Sequence, residues 1–123
     1  MTFTHVAGYT PLQLKTTETG KGRFYTTPTG NKYASITTIL GTEEKPGITA
    51  WRESLGKKAA DIETKRAADR GTYVHSAIEC FLNNDPTYAS HLETMLESKR
   101  MFFQMRSSLK KINNILMQEG ALY

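Results

Sequence analysis

The sequence predicts a mainly helical domain with a small β-hairpin near its start and a strand at its end. Three observations carry that prediction. From Leu12 to Tyr33 the chain is rich in Thr, Gly and aromatic residues, and Thr19-Gly20-Lys21-Gly22 and Pro28-Thr29-Gly30-Asn31 act as turn punctuation between short β-favouring runs. Over 47–112, apolar residues recur at helical intervals between clear start and stop signals. At the end, Ile115, Met117, Glu119 and Ala121 alternate as one strand face would, so 113–123 is assigned a strand in competition with helix.

A chain of 123 residues is one domain's worth, enough for a modest core, so 1–123 is read as a single unit. Hydrophobic content of 38% with 23% charged residues excludes a disordered chain. The net charge of +4 favours an anionic partner, nucleic acid being the usual one. The single cysteine, Cys80, excludes an intrachain disulfide, suits a reducing cytoplasm and reads as a small core residue. No apolar run reaches membrane-spanning length, and Met1-Thr2-Phe3-Thr4-His5 lacks the charged and apolar regions of a signal peptide.

Residues 1–11 read as an extended lead-in with a surface His5. In the hairpin, Arg23 and Tyr25, with Lys21, Phe24, Lys32 and Tyr33, mix cations with rings. Single-strand binding surfaces use that mixture, and so do ordinary half-buried hairpins. Ser35 caps a short helix through Ile36, Ile39 and Leu40 that Gly41 closes. After Pro46-Gly47, the spacing of Ile48, Trp51 and Leu55 predicts a helix up to Gly56, with Trp51 as a core anchor. Residues 57–69 have the strongest helix propensity, Ala59 and Ile62 facing inward. Lys65, Arg66 and Arg70, with Lys57 and Lys58, give that helix a basic face, fit either for tracking phosphates or for plain solvation. Gly71 is expected to break or kink the pattern, with Thr72 capping a new helix. Asp85-Pro86 restarts a long helix whose stripe is Leu92, Met95, Leu96, Phe102, Phe103 and Leu109, with His91 exposed.

The chemical centre lies in Arg70-Gly71-Thr72-Tyr73-Val74-His75-Ser76-Ala77-Ile78-Glu79. On a helix, His75 and Glu79 are four apart and share a flank beside the apolar stripe of Val74, Ile78, Phe81 and Leu82. An imidazole and a carboxylate so placed can share a metal ion. The same spacing also serves an ordinary hydrogen-bonded pair.

The order of segments resembles the N-terminal part of phage exonucleases related to RecB-family nucleases and to the mitochondrial genome maintenance exonuclease, within the PD-(D/E)XK superfamily. It runs from Gly22-Arg23-Phe24-Tyr25 through Gly30-Asn31-Lys32-Tyr33-Ala34-Ser35-Ile36-Thr37-Thr38-Ile39-Leu40, Pro46 and Trp51-Arg52. It continues through Ala67-Ala68-Asp69-Arg70-Gly71-Thr72-Tyr73-Val74-His75 and Glu79 to Glu119. Arg-Gly-Thr-x-Val-His-x-x-x-Glu is its most specific part. The resemblance implies an α/β fold of restriction-endonuclease type for a full member, of which this chain is the mainly helical N-terminal part. It also implies DNA phosphodiester hydrolysis with Mg²⁺ or Mn²⁺ during recombination or repair, in the cytoplasm of a phage-infected cell. His75 matches a metal ligand, Glu79 a catalytic or ligating carboxylate, and Glu119 a catalytic glutamate that precedes the central strands.

The family's Gly-x-x-Asp and Asp/Glu-x-Lys strands are not among these residues. Glu63-Thr64-Lys65 and Glu97-Ser98-Lys99 imitate the second pattern but fall on predicted helices. The expectation is a truncated enzyme or one half of a split one, inactive alone and working with a second polypeptide that carries the remaining motifs. The alternative is a non-catalytic module for single-stranded nucleic acid, whose salt-sensitive binding would be indifferent to His75.

Overall fold

A computed structural model describes residues 2–121, which form two compact units: residues 2–9 with 55–118, and residues 10–54 with 119–121. Met1, Leu122 and Tyr123 lie outside the described residues.

The smaller unit is built on a three-stranded antiparallel meander, β1 (Lys15–Thr19), β2 (Gly22–Thr26) and β3 (Lys32–Ala34), in the order β1-β2-β3. Both turns fall where the Gly and Pro residues predict. Thr19 pairs with Gly22 across the first. In the second, Gly30 N–H donates to Thr27 O at 2.9 Å, Thr27 N–H donates to Asn31 O at 2.8 Å, and Gly30 takes the positive φ of 89° that closes the loop. Helix α1 (Ile36–Leu40) starts at Ser35, whose hydroxyl accepts from Thr38 N–H, and ends at Gly41.

Thr38 also fastens α1 to the sheet. Its hydroxyl accepts from Arg23 N–H at 3.0 Å and donates to Arg23 O at 3.3 Å. That approach leaves no room at Gly22, where φ is 122° and an added Cβ would lie 2.5 Å from Thr38 Cγ2. Gly22→Ala should therefore destabilise this unit by about 1–3 kcal/mol through a strained φ and a steric clash. Urea denaturation checks it, and a change below about 0.5 kcal/mol would count against the close packing. Helix α2 (Pro46–Leu55) follows the predicted spacing, but Trp51 is 42% exposed and is not the anchor its size suggested. No residue of α1 or α2 is buried.

The larger unit is organised by α3 (Lys57–Leu82), one uninterrupted helix of 26 residues. The expected break at Gly71 does not occur. An isolated Gly in a helix interior costs only about 1 kcal/mol against Ala, which packing readily overrides. Thr72 is a helix-interior residue whose hydroxyl donates back to Ala68 O at 3.0 Å. The buried line is Ala60, Val74 and Ala77. Ile62, two residues from Ala60 and thus about 200° round the helix, faces away and is 59% exposed, against expectation.

At the end of α3, Asn84 adopts φ 60°, and Asp85 caps a 3₁₀ helix (Pro86–Leu92) with its carboxylate accepting from Thr87 N–H. The long helix predicted from here is two elements, the second being α4 (Leu96–Leu109). In one unbroken helix Leu92 and Phe102 would point about 80° apart. The break re-phases the chain so that both are buried with Ala77 and Leu109. Leu96 and Phe103, also expected inside, are mostly exposed. Phe81, Tyr88 and Phe102 form a ring cluster with centroids 5.1–5.5 Å apart, and Phe3 joins it edge-on to Phe81 at 5.1 Å. Cys80 and His91, read from sequence as a core residue and an exposed one, are both half-buried and face each other, Sγ to Nε2 3.6 Å.

The lead-in residues hold this unit together from one side. Phe3 N–H donates to Asn84 Oδ1 and Asn84 Nδ2 donates to Phe3 O. Ile115 N–H donates to Thr4 O and Val6 N–H donates to Ile115 O, both at 2.8 Å, making a parallel bridge at His5. The strand expected over 113–123 is not formed among the described residues. Asn114 and Glu119 take positive φ values of 52° and 51°, which interrupt an extended run. Ile115 and Ala121 make one isolated bridge each, to His5 and Leu12. Among the described residues no helix is long and apolar enough to cross a membrane.

Candidate functional site

His75 and Glu79 are one helical turn apart on α3, and both are exposed. Val74 and Ala77 beside them are buried, Ala77 within the core formed with Leu92, Phe102 and Leu109, so the pair sits at the edge of the packed face of α3. As two donors they do not by themselves fit a hard divalent ion, which takes about six oxygens. Among the described residues no three His, Cys, Asp or Glu side chains come together as a metal-holding group.

Glu119 belongs to the sheet unit. There the structure brings it together with Tyr25: both line a cavity of about 460 Å³, with Tyr33 and Ser35 on its wall. Tyr25 and Tyr33 are cross-strand partners between β2 and β3. Sequence spacing could not foresee this meeting of Tyr25 and Glu119, because no regular element links them.

The candidate DNA-binding cations are each engaged by a carboxylate. Arg23 pairs with Glu18 directly across the strands, which raises its pKa further above the usual arginine value, the Glu18 hydrogen bond being the main cause. Lys65 Nζ lies 2.6 Å from Asp69 Oδ2. Arg66 donates to Glu63 at 3.0 Å and 3.1 Å and also to Glu97, and Arg70 reaches Glu97 at 3.3 Å. Exposed pairs of this kind are weak, because water screens them. The basic face therefore presents its charge partly neutralised. Sequence reading registered the cations and missed Glu97, which only the packing of α4 on α3 brings to Arg66 and Arg70.

Glu97 and Glu63, the acidic members of the two Glu-x-Lys decoys, therefore hold arginines, and both decoys lie on helices as expected. Between Glu97 and Lys99, Ser98 is fully buried and donates to Arg70 O at 3.1 Å, which ties α4 to α3.

The Arg66 hydrogen bond, with Arg70 adding to it, holds the Glu97 carboxyl below its ordinary value. Because the folded value is depressed, the clasp contributes stability that is complete above about pH 4.3 and is lost as pH falls through the folded value. As pH falls below about 4.3, the thermal midpoint of the native chain should drop more steeply than that of Glu97→Gln. Parallel profiles would remove Glu97 from the acid response.

No family model, curated protein or solved structure matches this chain. The residues and their geometry alone carry the functional reading.

Proposed function

We propose that this chain supplies the helical part of the active site of a divalent-metal-dependent DNA exonuclease. His75 acts as a metal ligand and Glu79 as its neighbouring carboxylate. The observation that supports this reading is the exposed His75–Glu79 pair on the flank of a long, uninterrupted helix, inside an Arg-Gly-Thr-x-Val-His-x-x-x-Glu run. Glu119 is the second candidate carboxylate, and Arg23, Tyr25, Lys65, Arg66 and Arg70 form the DNA-facing set. Two donors leave a hard ion short of ligands. The Asp and Asp/Glu-x-Lys residues that complete such a site are not among these 123 residues, so the reading requires them from outside this stretch.

The experiment mixes the 123-residue chain with a polypeptide carrying those two strands and follows release of nucleotides from labelled DNA with Mg²⁺ or Mn²⁺. Neither component alone should cleave, and the mixture should. Cleavage by the 123-residue chain alone would overturn the division of ligands. Salt-sensitive DNA binding without cleavage in any mixture would favour the non-catalytic single-strand module.

A further inference from the structure

Outside the residues considered so far, the larger unit carries a second concavity. A cavity of about 320 Å³ lies where the end of α3, the start of the 3₁₀ helix and the end of α4 converge. Arg106 and Lys110, one helical turn apart on α4, both line it, as do Phe81 and Tyr88. Arg106 Nε is buried and has no hydrogen-bond partner among the described residues. A buried donor left unmade is costly, more so when charged, so this group calls for an acceptor. The guanidinium is held between rings, 6.0 Å from the Phe81 centroid and 5.8 Å from that of Phe103, which fixes its orientation without supplying an acceptor. Lys110 forms no ion pair among the described residues.

Two other polar groups on the wall are engaged elsewhere. The Asn84 amide is bound on both sides by the Phe3 backbone. Asp85 Oδ1 accepts from Thr87 N–H at 2.9 Å and Thr87 Oγ1 at 2.7 Å. The cavity therefore offers two cations and unfilled donors, against one carboxylate already engaged in capping a helix. A ligand that satisfies both cations carries more than one negative charge, as a phosphate monoester does near neutral pH. The volume is about ten times the share of a single water in the liquid, so a bare ion does not fill it. The rims of Phe81 and Tyr88 suit an organic group attached to the anion.

We propose that this cavity is a binding site for an organic phosphate monoester, its phosphoryl oxygens accepting from the Arg106 guanidinium and Lys110 Nζ and its organic group lying against Phe81 and Tyr88. The site is independent of the exonuclease reading, since it shares no residue with it. The test is calorimetric titration of the full chain with phenyl phosphate, inorganic phosphate and benzoate. Phenyl phosphate should bind at least tenfold more tightly than either comparator. Arg106→Lys, which keeps the charge and removes the planar guanidinium donors, should weaken binding about tenfold, the effect of one hydrogen bond to a charged group. Lys110→Gln, at an exposed helix end where folding is not at stake, should weaken it several-fold, and Lys57→Gln should leave it unchanged.

Equal binding of benzoate or inorganic phosphate, or equal affinity of the native, Lys110→Gln and Lys57→Gln chains, would overturn the proposal. Two further arms locate the source of the ester. A 5′-phosphorylated oligonucleotide that outbinds its 5′-hydroxyl form in a Lys110-dependent way supports the site with a strand end as ligand. Preference for phenyl phosphate alone supports it with a free small molecule.

Discussion

Phe102→Ala is expected to lower the thermal midpoint of the larger unit by roughly 15 °C or more, the largest stability effect of any single substitution in this chain. Phe102 is fully buried, and its ring meets Phe81 edge-on at 5.4 Å, Tyr88 in a stacked arrangement at 5.5 Å and Phe103 at 5.7 Å. Removing such a ring costs about 3–5 kcal/mol, from lost transfer free energy plus the cavity left behind. A domain of this size has a total stability of about 5–15 kcal/mol, and a small core lies toward the lower end. The variant should show weakened near-ultraviolet circular dichroism and a broad early transition. Phe103→Ala is the control, because Phe103 is 48% exposed and its loss should cost no more than about 1 kcal/mol. If the two variants melt together, the core is not centred on Phe102.

The second large effect concerns catalysis in the complemented enzyme. His75→Ala should reduce metal-dependent cleavage by roughly 100-fold or more, since losing even a residue that orients a metal ligand costs 10–100-fold. Because His75 is exposed, the same substitution should leave the melting temperature of the 123-residue chain within about 2 °C of its native value. That pairing of readouts separates chemistry from folding. Full activity in the variant would reduce His75 and Glu79 to an ordinary helix-flank pair and remove the proposal's support.

Residues whose structure is decided within a few positions were legible in the sequence. Ser35 and Gly41 bracket α1, the Thr19–Gly22 and Pro28–Asn31 turns fall in place, and Asp85 caps the helix that Pro86 enters, because each is a local hydrogen bond or dihedral preference. Gly71 misled because its penalty is small beside the packing of the 26 residues around it. The break between Leu92 and Leu96 has no comparable signal, since it is imposed by the need to bury Leu92 and Phe102 together. Phe3 was invisible for the same reason, being core only by virtue of Phe81, far along the chain. At the candidate site, the shared flank of His75 and Glu79 follows from helical spacing alone. The carboxylates on Arg66 and Arg70 do not, because Glu97 arrives on another helix.

The ties from Phe3 to Asn84 and from Thr4 and Val6 to Ile115 bear on the order in which this protein can complete itself during synthesis. Residues 3–6 leave the ribosome long before their partners exist. At about 5–20 residues per second, they wait on the order of ten seconds for residue 115. For most of that interval Phe3 has no aromatic cluster to enter, and throughout it the backbone of Thr4 and Val6 has no ladder partner. The larger unit therefore closes late and in one step, and its leading segment is the stretch most open to chaperones and proteases until it does.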